Sequence, residues 1–191
     1  METKETRDRI LEASARLFTS RGYKKTTTKL IAQEAGVNEV TIFRLFGKKK
    51  AIVEEIITEK LTHIDPMALY FKDQVTYDLS EDLYQSSVLY FRAQSKNFPF
   101  ILTLLDELGP DFVHTFSKLP ARIVATYKAY FDQMVDKGLL KETDTDFLAK
   151  TFVTLISGLV VNKVMTGDQI IDMSGEDFIK KYTKIFVSGI A

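Results

Sequence analysis

Thr26–Lys50 reads TTTKLIAQEAGVNEVTIFRLFGKKK, which spells two short helices around a tight turn. Ala35-Gly36-Val37 is the turn. A sharp reversal needs a left-handed backbone, which Gly36 supplies without a Cβ penalty, and Val37 seals it from above. Ahead of the turn, Thr27 or Thr28 can cap a helix carrying Leu30, Ile31 and Ala35. Behind it, Asn38 can cap a second helix whose Ile42 and Phe46, four residues apart, face inward. That layout is a helix-turn-helix, whose second helix inserts into the DNA major groove. The charge agrees. Between Arg21 and Lys50 eight Lys/Arg (Arg21, Lys24, Lys25, Lys29, Arg44, Lys48, Lys49, Lys50) stand against Glu34 and Glu39, a net of +6.

Outward from this segment nearly everything reads as helix, because Gly and Pro are sparse and sit at boundaries. Thr6 to Ser20 places Ile10, Ala13, Leu17 and Phe18 on one stripe and stops at Arg21-Gly22. Lys48 to about Ile64 puts Ile52, Ile56, Ile57 and Leu61 inward before Pro66 breaks the pattern. A looser stretch is expected from Met67 to Leu79, then a helix from Ser80 or Glu81 to about Lys96. Asn97-Phe98-Pro99 and Gly109-Pro110 frame a short helix, and Pro120 begins another that runs to Lys137-Gly138. Two long elements close the chain, Asp144 to about Met165 and Ser174 to Ile190. The expected fold is all-α with about nine helices. A three-helix helix-turn-helix domain spans 1–47, and a helical ligand-binding and dimerisation domain spans 48–191, entered through a connecting helix over 48–64.

Composition narrows the function further. The 191 residues suffice for a real core. Net charge is zero, which alone argues against a nucleic-acid binder, but the balance hides an asymmetry. Residues 1–62 hold 13 Lys/Arg and 9 Asp/Glu, whereas 63–191 hold 13 and 17. A basic head on an acidic body suits a protein that touches phosphate at one end. There is no cysteine, so no disulfide or thiolate metal site is available. His63 reads as a helix-end residue and His114 as structural, a poor basis for a metal site, and Asp144-x-Asp146 reads as a helix start. No cofactor is expected. G-x-S-x-G, phosphate-loop, dinucleotide-glycine and H-E-x-x-H motifs are all absent, so the chain reads as a non-enzyme. The polar N-terminus has no apolar h-region and no apolar run approaches the ~18 residues of a membrane span, which predicts a soluble, cytoplasmic protein.

From Arg7 to Ile57 the order and spacing resemble the TetR family of transcriptional regulators. The opening helix runs into Gly22-Tyr23, then T-T-x-K-x-I-A-x-x-A-G-V from Thr26, then T-I-F-x-x-F-x-x-K from Thr41. The resemblance implies a homodimer on a near-palindromic double-stranded operator, and a small molecule in the body that alters head spacing and releases the DNA. Carried onto this chain, it makes Thr27 and Thr28 phosphate-holding hydroxyls and Lys29 a basic residue near base edges. It makes Asn38, Glu39, Val40 and Thr41 the leading turn of the recognition helix, and Lys49 a phosphate clamp assisted by Lys48 or Lys50. Thr41 can pair with a base or touch a thymine methyl. Glu39 can accept from a cytosine amino group, although a solvent-facing or Lys-paired role weighs more. Several residues depart from the family pattern. Val40 replaces a small residue, Phe43 stands where Tyr is common, and Arg44 and Leu45 replace aromatic or His residues. Phe43 is expected to keep the packing while losing a hydroxyl, and Arg44 to compensate electrostatically. Lys48 and Lys50 put positive charge at a helix N-terminus, unfavourable by up to about 1 kcal/mol unless a phosphate neutralises it.

In the body, Tyr84, Phe91, Phe98, Leu105, Tyr127, Phe131 and Met134 are the candidate lining of an effector pocket, against the alternative that any one of them is core. Leu155, Gly158, Leu159 and Asn162 make one stripe, and Phe178, Tyr182, Ile185 and Phe186 a second. Packed with their symmetry mates they form an expected four-helix dimer interface. The expected function is a ligand-responsive dimeric DNA-binding regulator, a repressor released from a palindromic operator by a small apolar or aromatic molecule. The alternative is a helical small-molecule- or protein-binding dimer without specific DNA binding.

Overall fold

The computed structural model describes residues 2–62, 66–108 and 118–190, and for some residues at the edges of these spans the backbone only. His63 and His114 fall outside them, as does the expected Gly109-Pro110 boundary. The described residues form nine helices and no strand: α1 (Glu2–Arg21), α2 (Thr28–Ala35), α3 (Glu39–Phe46), α4 (Lys49–Thr62), α5 (Pro66–Asp73), α6 (Leu79–Leu108), α7 (Lys118–Asp136), α8 (Thr145–Thr166) and α9 (Gly175–Ile190). They fall into two compact units, 2–62 with 100–108, and 66–99 with 118–190.

In the first unit α1 packs on α2 and α4, and α3 packs on α2 and α4. The inward stripe of α1 meets Ile31, Ala32 and Ala35 of α2, Ile42 and Phe46 of α3, and Ile52, Val53, Ile56 and Ile57 of α4, all buried. Each large aliphatic or aromatic side chain among them contributes about 1.5–3 kcal/mol by leaving water. This burial, rather than propensity, sustains α2 and α3, which at 8 residues each are too short to persist alone. Arg7 clamps the unit. Its guanidinium forms a two-pronged ion pair with Glu55, lies 4.5 Å over the Phe46 ring and donates to the Leu45 carbonyl at 3.1 Å.

In the second unit α7 and α9 both pack against α8 around Tyr127, Phe131, Met134, Phe152 and Ile156. At its centre is a buried carboxylate. Asp82, with no exposed surface, accepts from the Tyr70 hydroxyl (2.8 Å), the Thr76 amide and hydroxyl (both 2.9 Å), the Tyr77 amide (2.8 Å) and the Tyr130 hydroxyl (2.9 Å). Five donors replace the water a buried charge forfeits. They also hold Tyr77 at φ 61, the single non-glycine in the left-handed region among the described residues.

Three expectations are corrected. The looser stretch after Pro66 contains α5, with Pro66 in its first turn, where a missing N–H is harmless, and with Met67 and Tyr70 buried. No break separates a helix ending near Lys96 from a shorter one after Pro99, because α6 runs through Pro99. Buried Ile101 and Leu104 directly beyond it offset the lost backbone hydrogen bond. Finally, α8 reaches the length and apolarity of a membrane span despite Asp146, Lys150 and Lys163. Its inward side fills the core while Phe147, Leu155 and Met165 remain exposed on the other, so apolar residues occur around the whole helix.

Candidate nucleic-acid interface

Two local rules build the face. Thr27 caps α2, its hydroxyl accepting from the Leu30 amide at 3.2 Å, and Asn38 caps α3, its Oδ1 accepting from the Val40 amide at 2.9 Å. Between them Gly36 adopts φ 64, ψ 41, and its N–H closes on the end of α2. A Cβ there meets nothing nearer than 3.6 Å, so backbone strain rather than crowding demands glycine. Arg9 of α1 secures the turn from behind, donating to the Ala35 carbonyl at 2.7 Å and the Gly36 carbonyl at 3.2 Å.

With Ile42 and Phe46 buried, α3 turns the rest of its surface outward. Val40 is 71% exposed, Phe43 49%, and Arg44 is exposed beside half-buried Thr41. Phe43 therefore does not pack as expected: one position beyond Ile42, it is rotated about 100° off the inward stripe. Lys29 and Lys48 are exposed as well. Thr6, Arg9, Asn38, Thr41 and Arg44 border a polar recess of about 430 Å³ alongside the turn.

Two residues lie elsewhere than expected. Lys49 points inward, its ammonium donating to the Tyr23 and Thr26 carbonyls at 2.8 Å each and lying 4.0 Å over the Tyr23 ring. Thr28 donates its hydroxyl to Glu39 Oε1 at 2.6 Å, joining the first residue of α2 to the first residue of α3. Sequence reasoning missed Arg9 altogether. Its partners lie 26 and 27 residues away, and no local pattern announces such a contact.

Tyr127, Phe131 and Met134 are buried core residues with at most 1% exposure, Phe91 and Phe98 pack against that core, and Tyr84 packs on a smaller cluster of Val88, Leu159 and Ile179. The Leu105 side chain is outside the described residues. A cavity of about 400 Å³ lies between α5 and α7, bordered by Phe71, Lys72, Arg122, Thr126, Tyr130 and Gln133. Of the expected dimer residues, Leu159 is 2% exposed within the protomer, and Tyr182 and Phe186 pack on Phe152 of the same chain. Phe178 packs on the smaller cluster. Leu155, Gly158, Asn162 and Ile185 keep surface facing outward.

Residues 10–56 match the model of the bacterial regulatory proteins of the tetR family, and residues 107–187 match that of the AefR-like transcriptional repressor C-terminal domain. The uncharacterized HTH-type transcriptional regulator YvkB of Bacillus subtilis is 28% identical over 188 residues, 97% of each chain. The uncharacterized regulator TtgW of Pseudomonas putida is 30% identical over 112 residues, 56% of this chain and 81% of that one. A crystal structure of a putative TetR-family regulator from Mesorhizobium loti superposes with a TM-score of 0.79 at 18% identity, covering 99% of this chain and 98% of that one. A capped helix-turn-helix whose second helix faces outward, followed by a helical body matched over 107–187, together with a relative 30% identical over 81% of its length, places this chain in the TetR family of transcriptional regulators.

Proposed function

We propose that the protein is a homodimeric repressor whose head, 1–47, holds a near-palindromic operator and whose body, 48–191, binds a small molecule that releases it. The observation that carries this reading is the outward surface of α3. A helix of 8 residues leaves Val40 and Phe43 in water beside Arg44, although its Ile42 and Phe46 are buried. An apolar and cationic surface of this kind fits a major groove, where thymine methyls and phosphates lie side by side. Thr27, Thr28, Lys29, Asn38, Glu39, Thr41 and Lys48 surround it. Half-sites read by two such heads lie about one helical turn apart or a little more.

The effector reading rests on the cavity between α5 and α7. Phe71 and Tyr130, ring centroids 4.7 Å apart, give it an aromatic wall, and Lys72 and Arg122 lie at its rim. A flat apolar molecule carrying an acidic group matches that lining. The dimer reading rests on the outward surface of α8 and α9. Both Gly158 and Gly189 open onto empty space there, which allows a partner helix to approach closely.

Salt-titrated binding to genomic fragments tests the function. The expected result is selective retention of a few fragments, with affinity falling steeply and linearly on a logarithmic salt scale. Equal, weak retention of all fragments would favour the non-DNA dimer instead.

A further inference from the structure

The face around α2 and α3 is basic, and it contains two acids, Glu34 and Glu39. Glu34 is neutralised by Arg16 at 3.4 Å. Glu39 has no cationic partner among the described residues; its side chain there accepts from the Thr28 hydroxyl at 2.6 Å. A carboxylate is thus fixed at the entry of the recognition helix, in the turn that leads into a major groove. Electrostatics makes it unfavourable on any duplex, since every phosphate repels it regardless of sequence. Its hydrogen-bonding capacity is selective by contrast. An ionised carboxylate only accepts, so the cytosine amino group satisfies it; adenine offers an amino group too but sets its N7 acceptor beside it, and the O6 and N7 of guanine and the O4 of thymine are acceptors that add to the repulsion.

Building on the DNA-binding reading above, we infer that Glu39, oriented by Thr28, is a specificity-determining residue that acts chiefly by exclusion. It lowers affinity for duplex DNA in general and is compensated where the operator sets a cytosine opposite it. Discrimination is a difference of affinities, and a penalty on wrong sequences raises it as surely as an attraction to the right one. The bond to Thr28 matters because it removes rotamer freedom: the acceptor atoms stay in one place instead of swinging away from an unfavourable base. Thr28 consequently serves as a positioning residue and not as a phosphate holder in the free protein.

The test compares wild type, Glu39→Gln and Thr28→Val in fluorescence anisotropy on two probes: a random-sequence duplex pool, and duplexes selected from that pool by the wild type. Gln keeps the volume and an acceptor for Thr28 while removing the charge. Glu39→Gln should bind the random pool roughly fivefold more tightly in dilute buffer, the Coulomb effect of one charge about 4 Å from another in water. Reselection with this variant should lose a cytosine preference at one position per half-site. Thr28→Val should weaken that preference without tightening random binding fivefold. If Glu39→Gln binds the random pool no better than wild type, or reselects the same sequences, the inference is overturned. A variant weakened on both probes with a lowered melting temperature overturns it too, as it would assign Glu39 a merely structural role. Wild type that binds neither probe would remove the DNA-binding reading itself, an outcome separable from the others.

Discussion

Lys49 turns its charge on the protein's own backbone. Its two carbonyl bonds and the Tyr23 ring fasten the start of α4 to the loop ahead of α2, and so fix where α2 begins. Arg44, in the last turn of α3, is exposed and faces outward. These placements separate two effects that a count of basic residues merges. Lys49→Ala should lower unfolding free energy by about 2 kcal/mol, in the range for hydrogen bonds to a charged group, and leave the salt slope of DNA binding unchanged. Arg44→Ala should leave stability within about 0.5 kcal/mol and reduce that slope by about one unit. Urea titration and salt-dependent anisotropy measure the two quantities, and an exchange of these outcomes would show that Lys49 reaches the phosphate. The contrast also marks what is legible at this scale. Gly36, Asn38 and Thr27 are readable because a turn and its caps depend on neighbours within four residues. The partners of Arg7, Arg9 and Lys49 lie 48, 26 and 26 residues away, and nothing local encodes them.

Periodicity locates most helices, because a stripe of apolar residues and a terminating glycine are local signals. It fails where packing decides. α5 is as short as α2 and α3 but lacks the caps and turn glycine that announce those two, and its order depends on Met67 and on Tyr70 reaching Asp82. On α9 the stripe Ile179, Tyr182, Phe186 is plain in the sequence, but a single helix cannot declare whether such a stripe faces its own core or a partner, and here it packs inward. The tie among α5, α6 and α7 through Asp82 has a measurable signature in pH. Burial first, then hydrogen bonding to and repulsion from the Asp82 carboxylate, push the Tyr70 and Tyr130 hydroxyls well above their ordinary value near 10. Burial does the same to Tyr182. The folded chain therefore holds protons that the unfolded chain releases as pH rises past 10. Stability from these groups is complete below pH 10 and is lost above it. For Tyr130, only 2% exposed, the decline is about 1.4 kcal/mol per pH unit. Urea midpoints from pH 9 to 11.5 should fall progressively, and Tyr130→Phe should give a slope shallower by about that one tyrosine's share. An identical slope in the variant would take Tyr130 out of the titration.

At the scale of the molecule, the decisive feature is the apolarity of α8. A core helix needs one apolar side, and Ala149, Phe152 and Ile156 supply it here, all of them fully packed. Yet the far side keeps apolar surface among its polar residues: beside Lys150 and Thr154, Leu155 is 44% exposed, and Phe147 and Met165 are more so. Ile185 of α9 is exposed too, and Gly158 and Gly189 have no neighbour above them. In the proposed dimer a second copy of the chain covers this surface through a two-fold contact of α8 and α9, and it also supplies the second head that a palindromic operator requires. Association and operator binding are then linked, since a tethered second head binds at a high effective concentration. Leu155→Glu puts a charge at the centre of the proposed contact, at a position whose exposure in the protomer spares the fold. It should shift the protein from dimer to monomer in sedimentation equilibrium while changing the monomer's melting little. On selected duplexes it should lose at least about 100-fold in affinity, and on a single half-site far less. A variant that stays dimeric, or loses equally on both probes, would put the subunit contact on another surface.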